Sequence, residues 1–526
     1  MGRGLFGGSF YLWLGAFALL IAACSLLIPS TPSYDPWAWL VWGREIVHLN
    51  LQTTGGPSWK PLPMIFIVPF SLLGGAAPDL WLVVARAGAV MAVAMSFKVA
   101  WRLTRDLSAP RAIDARGAAM ALARLAPLLA GVIAAASLLN SGGFISDNAL
   151  GYSEGLATAL VLISVDRYLD GARRQAFVVG FFAALDRPEL WVVWVPYGLF
   201  LSWRDAGARR LVVALFALIP VLWFLPELWG SGHLFRNVTR ALHPRSNSAA
   251  FASCPICTVF KQEAWPEVLG RVKFAGILGM LAAALMLWRT RASWWRRGRP
   301  VSPATRAQAW LLAIGLFGYL WWLGIAVETQ AGFSGNDRYL VLGTAPVAIV
   351  GGVAWGWLAA SAGSLFGWLG QRVRSLRRLG ARKFALPAGA VVAVGLFLAV
   401  PPWIGKDVIS LPATHRALVY QAHLREDMTA VVSHLGRRPI LACGTVMTEG
   451  FQVPMLAYML GVHTLRIEAP PAVAGTGAPP NVIFQTRATR DSTLLPIIRP
   501  WHVQYSLVDH QRTFRVFMNC AAKAAI

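Results

Sequence analysis

The sequence predicts a mostly α-helical bundle that crosses a membrane many times, joined to a small α/β domain. Three observations carry this reading. Apolar runs of roughly 20 residues, the length a spanning helix needs, recur between residue 10 and residue 405. Charged residues make up only 14% of the 526, against about 25% in ordinary soluble domains. Arg and Lys collect in the short segments between the runs, as they do in cytoplasmic loops. That placement also accounts for the net charge of +24. Its natural partner is the anionic headgroup of the lipid bilayer, and nucleic acid is excluded.

The elements follow in order. Residues 10–28 form the first span, too long for a signal-peptide core and without a small-residue cleavage site. Arg3 stays in the cytoplasm, so residues 34–63 emerge on the exterior face. This segment sets Asp35, Arg44, Glu45, His48 and Lys60 among Trp37, Trp39, Trp42 and Trp59. It reads as an amphipathic stretch lying at the bilayer surface, where Trp prefers to sit. Residues 64–73 are too short to span and read as a surface or re-entrant helix. A span at about 80–101 returns to Arg102, Arg105, Arg111 and Arg116, and one at about 118–139 leads out to residues 140–154. That exterior loop holds Asp147 and Glu154 and no Lys or Arg. After the next span, residues 175–203 make a hairpin of two short helices that turns at Asp186-Arg187-Pro188-Glu189, because Pro starts helices and cannot continue them.

Further spans are expected near 211–229, after residue 267, at 309–327, from Arg338-Tyr339 onward and at 386–404. Roughly 11 helices result, with every basic cluster on one side. The chain thus divides into a membrane domain, 1–405, and an exterior soluble domain, 406–526. In the latter, 416–435 has helical periodicity, 439–443, 464–467 and 482–485 read as strands, and 451–460 as a helix. Of five cysteines, Cys254 and Cys257 form a CPIC in the long exterior loop, and Cys443 and Cys520 lie in the tail. On an exported face these can form two disulfides, Cys254–Cys257 and Cys443–Cys520. A lone CxxC with no second pair and no βαβ neighbour argues for a local bridge rather than zinc or redox chemistry.

With an acid at residue 35, Lys60-Pro61-Leu62-Pro63, Ala85-Arg86 and Arg338-Tyr339 in this order and on one side, residues 8–405 resemble the GT-C superfamily. Those are polytopic membrane glycosyltransferases, among them protein O-mannosyltransferases, lipid A aminoarabinose transferases and actinobacterial cell-wall enzymes. The resemblance implies a polyprenyl-phosphate-linked sugar donor, a glycan, lipid or protein acceptor, and a multi-pass position in a bacterial cytoplasmic membrane. Departures are visible: Asp35 stands alone rather than in an Asp-Glu pair, and the tail matches no acceptor module.

The chemistry this implies needs a base at the acceptor hydroxyl and positive charge at the departing phosphate. A phosphate leaves as a stable anion, so one carboxylate suffices where a glycosidase uses two. Asp35 is the expected base; its plainer role would be to cap a helix starting at Pro36. Lys60, Arg187 and Arg338 are expected at the phosphate. The alternatives are snorkelling for Lys60 and Arg338, and a local pair with Asp186 or Glu189 for Arg187. Asp147, Glu154, Glu189, Arg44 and Tyr339 are candidates to hold the acceptor or a metal. No cofactor is specified, although carboxylates of this kind suit a divalent cation. The rival class is a transporter or flippase for a lipid-linked precursor, but no internal repeat of the kind common in transporters is visible.

Overall fold

The computed structural model describes residues 4–108, 118–245, 248–294, 301–372 and 409–520, with residues 391, 394, 395 and 398. The segment expected as the last span, 386–404, lies largely outside the described residues. The chain runs α1 (Gly4–Cys24), α2 (Tyr34–Val47), α3 (Pro61–Ser71), α4 (Ala77–Leu107), α5 (Ala118–Leu139), α6 (Phe144–Ala149) and α7 (Glu154–Leu169). It continues through α8 (Arg173–Ala184), α9 (Trp191–Arg204), α10 (Arg209–Ser231), α11 (Arg236–Ala241), α12 (Pro255–Cys257), α13 (Gly270–Trp294), α14 (Pro303–Gln330) and α15 (Val341–Arg372). Among the described residues, six helices are long and apolar enough to cross a membrane by length and composition. With 11 residues, α3 is too short to do so, as its sequence predicts. The protein is a multi-pass membrane protein with a small C-terminal sheet domain.

The centre of the bundle is α15, surrounded by α4, α5, α13 and α14. Close approach is achieved with small residues rather than large ones. A methyl added at Gly356 would stand 2.6 Å from the Ala126 carbonyl oxygen of α5, and one at Gly352 would press on that of Ala130. The helices can therefore touch backbone to backbone, the usual solution where lipid gives helices no hydrophobic reason to associate.

One reading of residues 34–63 is corrected here. The four tryptophans do not face lipid: Trp37, Trp39, Trp42 and Trp59 are at most 2% exposed. α3 and α4 pack on one side of α2, and the C-terminal domain covers the other. Arg44, expected near the acceptor or a metal, is spent on this docking instead. Its guanidinium donates to the carbonyls of Tyr458 (3.1 Å) and Val462 (2.7 Å). Glu45 accepts from His463 at 2.7 Å in the same interface. A segment that reads as amphipathic toward a membrane is amphipathic toward a second domain, and periodicity alone cannot tell the two apart.

The C-terminal domain comprises α16 (Leu411–Leu435), α17 (Arg437–Cys443), β1 (Val446–Thr448), α18 (Val453–Leu460), β2 (Ile467–Glu468), β3 (Val482–Arg487), β4 (Leu494–Leu495), β5 (Ser506–His510) and β6 (Arg515–Met518). The sheet order is β2-β1-β3-β6-β5, with β4 on β3. β1 is parallel to β2 and β3, while β3–β6 and β5–β6 are antiparallel. Residues 439–443, expected as a strand, are helix, and the strand begins at Val446 after Gly444. The stretch 464–467 is mostly a 3₁₀ turn running into β2. Disulfides join Cys254 to Cys257 and Cys443 to Cys520, the latter tying α17 to the chain beyond β6.

The charge bias predicts that α2 and the sheet domain share the exterior side. In a Cys24→Ser background, cysteines placed at exposed Thr54 and Ala413 should label from outside intact cells, and one at exposed Ala206 only after permeabilisation. Labelling of Thr54→Cys and Ala413→Cys only after permeabilisation would invert the topology.

Candidate functional site

Two lysine- and arginine-before-proline turns open the site. Pro61 and Pro188 each stand in the first turn of a helix, α3 and the 3₁₀ turn Pro188–Leu190. A residue preceding Pro is driven out of the helical region. Lys60 and Arg187 accordingly share an extended backbone, φ −135° in both. Each side chain therefore projects off a helix start rather than along its flank. The amide of Leu62 donates to the carbonyl of Leu185 (3.2 Å), which sets the two turns side by side. Both cations converge on Glu154, in the first turn of α7, where the helix dipole favours an anion. Lys60 Nζ lies 3.1 Å from Glu154 Oε1 and 3.7 Å from Asp186, and Arg187 pairs with the same Glu154 oxygen. Lys60 is buried, so it does not snorkel. The main partner of Arg187 is Glu154; Glu189 stands at 3.8 Å.

The third cation arrives from the other end of the sequence. Arg338 sits in the 3₁₀ turn Asp337–Leu340 ahead of α15. Trp321 and Trp322 of α14 donate their indole N–H groups to the carbonyls of Tyr339 (2.8 Å) and Leu340 (3.1 Å), fixing the turn. Arg338 Nη2 donates to Asp35 Oδ2 at 2.6 Å, and its Nε is 4.0 Å from Glu154. The guanidinium lies 4.0 Å from the ring centre of Tyr152, while that of Arg187 lies 4.1 Å from the ring centre of Tyr339. Aromatic faces suit a desolvated guanidinium. Asp35 is not the helix cap its Asp-Pro context suggests. Ser33 occupies the cap position, and Asp35 is in the first turn with its carboxylate committed to Arg338.

Asp35, Lys60, Arg187 and Arg338 thus line one pocket of about 630 Å³, with Asp147, Asp186, Glu189 and Tyr339. The acidic loop 140–154 is not a solvated surface: Glu154 is 1% exposed and Asp147 is half-buried. Burial and the neighbouring Asp337 push the Asp147 carboxyl well above the ordinary range, against the pull of Arg338. Behind it, burial raises Glu263 and Glu267 to about 7 each. Among the described residues, no three His, Cys, Asp or Glu side chains come together as a metal ligand set. The matched Arg86 lies outside the pocket, donating to the Ala149 carbonyl (2.8 Å) and to Ser25 and Ser30. It lines a separate apolar groove of about 1130 Å³ between α1, α4, α6 and α16.

The pocket concentrates buried polar atoms that find no hydrogen-bond partner within the described protein. They include both Asp186 carboxylate oxygens, Asp147 Oδ2, Glu189 Oε2, Arg187 Nε, and Arg338 Nε and Nη1. Buried polar atoms are paired in the great majority of cases, so such a cluster marks a place built for a polar ligand. Sequence reasoning missed Tyr152, Asp337, Glu328, Arg245 and the C-terminal Phe451, all of which line the pocket. Only Asp337, adjoining Arg338, carried a local signal.

No protein-family model matches the chain, and no curated protein matches its sequence. Among solved structures, the chain is similar to ArnT from Cupriavidus metallidurans bound to undecaprenyl phosphate, at 14% identity and a TM-score of 0.45, over 97% of this chain and 98% of that one. It is also similar to the same enzyme in the apo state, at 14% identity and 0.43, over 98% and 99%.

The raised Glu267 carries a pH dependence. The folded state keeps its proton to about pH 7, whereas the unfolded chain releases it near 4.5. The folded state therefore binds more protons in this window, and stability falls as pH rises through it, by up to roughly 1.4 kcal/mol per pH unit. Glu267→Gln should match the parent in melting temperature at pH 4.5 and melt several degrees higher at pH 8. Equal melting temperatures at both pH values would contradict the assignment.

Proposed function

We propose that the protein is a membrane glycosyltransferase that moves a sugar from a polyprenyl-phosphate donor to an acceptor hydroxyl at the outer end of the bundle. The observation that carries this reading is convergence. Lys60, Arg187 and Arg338 meet Asp35 in one pocket, and the guanidinium N–H groups that make no hydrogen bond within the protein, Nε of Arg187 and Nε and Nη1 of Arg338, are suited to phosphate oxygens.

In this reading the acceptor oxygen attacks the anomeric carbon from the face opposite the phosphate. The bond from that carbon to the phosphate oxygen breaks, and polyprenyl phosphate departs with the electron pair. Configuration inverts, and the acceptor proton passes to Asp35. Arg338 engages the Asp35 carboxylate at 2.6 Å. A phosphate drawing on Arg338 loosens that pair and frees the carboxylate as the donor settles, so the base is exposed when there is something to attack. The attraction of the three cations for the phosphate strengthens as negative charge develops on it, which is transition-state stabilisation of the electrostatic kind. The pocket volume falls in the range of small-molecule sites, enough for a sugar phosphate and part of an acceptor.

Asp35→Asn tests the base. Here the cluster itself favours folding of the variant. The three cations pair with four carboxylates, Asp35, Glu154, Asp186 and Glu189, so Arg338 still faces the Glu154 carboxylate when Asp35 is neutralised. Asn also keeps an acceptor for Arg338. Turnover in proteoliposomes should fall by about 10²–10⁴-fold while donor binding tightens, because Arg338 loses its charged competitor, whereas Arg338→Ala should weaken both. A folded Asp35→Asn protein with normal transfer would remove Asp35 from the role.

A further inference from the structure

Phe451, at the start of the C-terminal domain's turn into α18, is 40% exposed and lines the mouth of the same pocket. It meets Tyr34, the residue preceding Asp35, ring centre to ring centre at 6.2 Å and almost perpendicular. The guanidinium of Arg245 lies 4.1 Å from the centre of the Phe451 ring and 4.5 Å from that of Tyr34. Arg245 also donates to the Gly450 carbonyl at 3.2 Å, and Glu449 accepts from the amide of Phe451 at 2.8 Å. The turn that carries the ring is thereby fixed from both sides. Deeper on the same wall, Asn237 Nδ2 and Trp223 Nε1 are buried without protein partners.

We infer that this aromatic corner, half membrane domain and half C-terminal domain, is the acceptor subsite, and that the acceptor is a saccharide. The inference rests on the glycosyltransferase reading above. Its argument is chemical. A sugar ring has a face of weakly positive C–H groups and a rim of hydroxyls. The C–H face complements the negative face of an aromatic ring. The rim's oxygens accept from isolated N–H donors at short range, which Arg245, Asn237 Nδ2 and Trp223 Nε1 supply. A lipid chain would want neither, and the molecule's apolar groove lies elsewhere, between α1 and α4. Because Tyr34 adjoins Asp35 in α2, a ring stacked at this corner brings its hydroxyl toward the base. The C-terminal domain thus acquires a role that its own sequence does not announce: it closes the site and selects what enters.

The test uses the full-length protein in nanodiscs and the delipidated, deproteinised polysaccharide fraction of the cell envelope, hydrolysed to oligosaccharides. The protein should retain oligosaccharides above empty nanodiscs. Phe451→Ala and Arg245→Ala should each lower apparent affinity by about 2- to 10-fold, and Phe451→Trp should restore it. The same preparations are offered undecaprenyl phosphate, whose headgroup the proposed function assigns to Lys60, Arg187 and Arg338 rather than to the corner. Its binding should be unchanged in all three variants, which also shows that they fold. No retention by the parent protein, or equal retention by the alanine variants, overturns the saccharide subsite. Failure of the parent to bind undecaprenyl phosphate would instead remove the glycosyltransferase reading, and the retention experiment is scored independently of it.

Discussion

Everything at this end of the bundle depends on one constraint: charges withdrawn from water must be paired or they will not stay charged. Removing an ion from water costs several kcal/mol even after relaxation, and only close counter-charges and hydrogen bonds offset it. Lys60, Arg187, Arg338, Asp35, Glu154 and Asp186 are all buried, and each is held by another member of the set. Glu154 is the hub, shared by all three cations. The cations come from three separate turns, so pairing them with Glu154 draws α3, the α8–α9 hairpin and the head of α15 onto the start of α7. The ion cluster is thus a structural clasp as well as a site. It is also unsaturated, since donors on both arginines remain without protein partners.

This explains which parts of the molecule could be read in advance. Spans and their order follow from run length and basic loops, both local properties, and α3 is recognisable as too short by counting. Lys60-Pro61 and Arg187-Pro188 are also legible, because Pro dictates the backbone of the residue before it. What could not be read is what each face meets. The tryptophans of α2 face a second domain rather than lipid, and Arg44 serves that contact, because burial by protein and burial by membrane leave the same periodicity. Residues 439–443 form helix where a strand was expected; a five-residue apolar run fits either, and the neighbours decide.

The site followed the same division. Residues embedded in short motifs, Asp35 beside Pro36, Lys60 beside Pro61 and Arg338 beside Tyr339, could be singled out. Glu154 could be named as an acid in an exterior loop, but its position as the common partner of three cations is a tertiary fact. Tyr152 beneath Arg338 and Phe451 at the pocket mouth are single aromatics whose meaning depends on residues distant in the chain. The raised carboxyls of Asp147 and Glu267 depend on burial that no spacing reveals.

The central claim is that a phosphate and Asp35 compete for Arg338. A double-mutant cycle on binding of undecaprenyl phosphate to the protein in nanodiscs tests it most directly. Asp35→Asn alone should tighten binding, because Arg338 loses its charged competitor. Arg338→Ala should weaken binding, and in that background Asp35→Asn should have no further effect. If Asp35→Asn changes binding by the same factor whether or not Arg338 is present, the two residues are not coupled through the phosphate, and the account of the site is wrong.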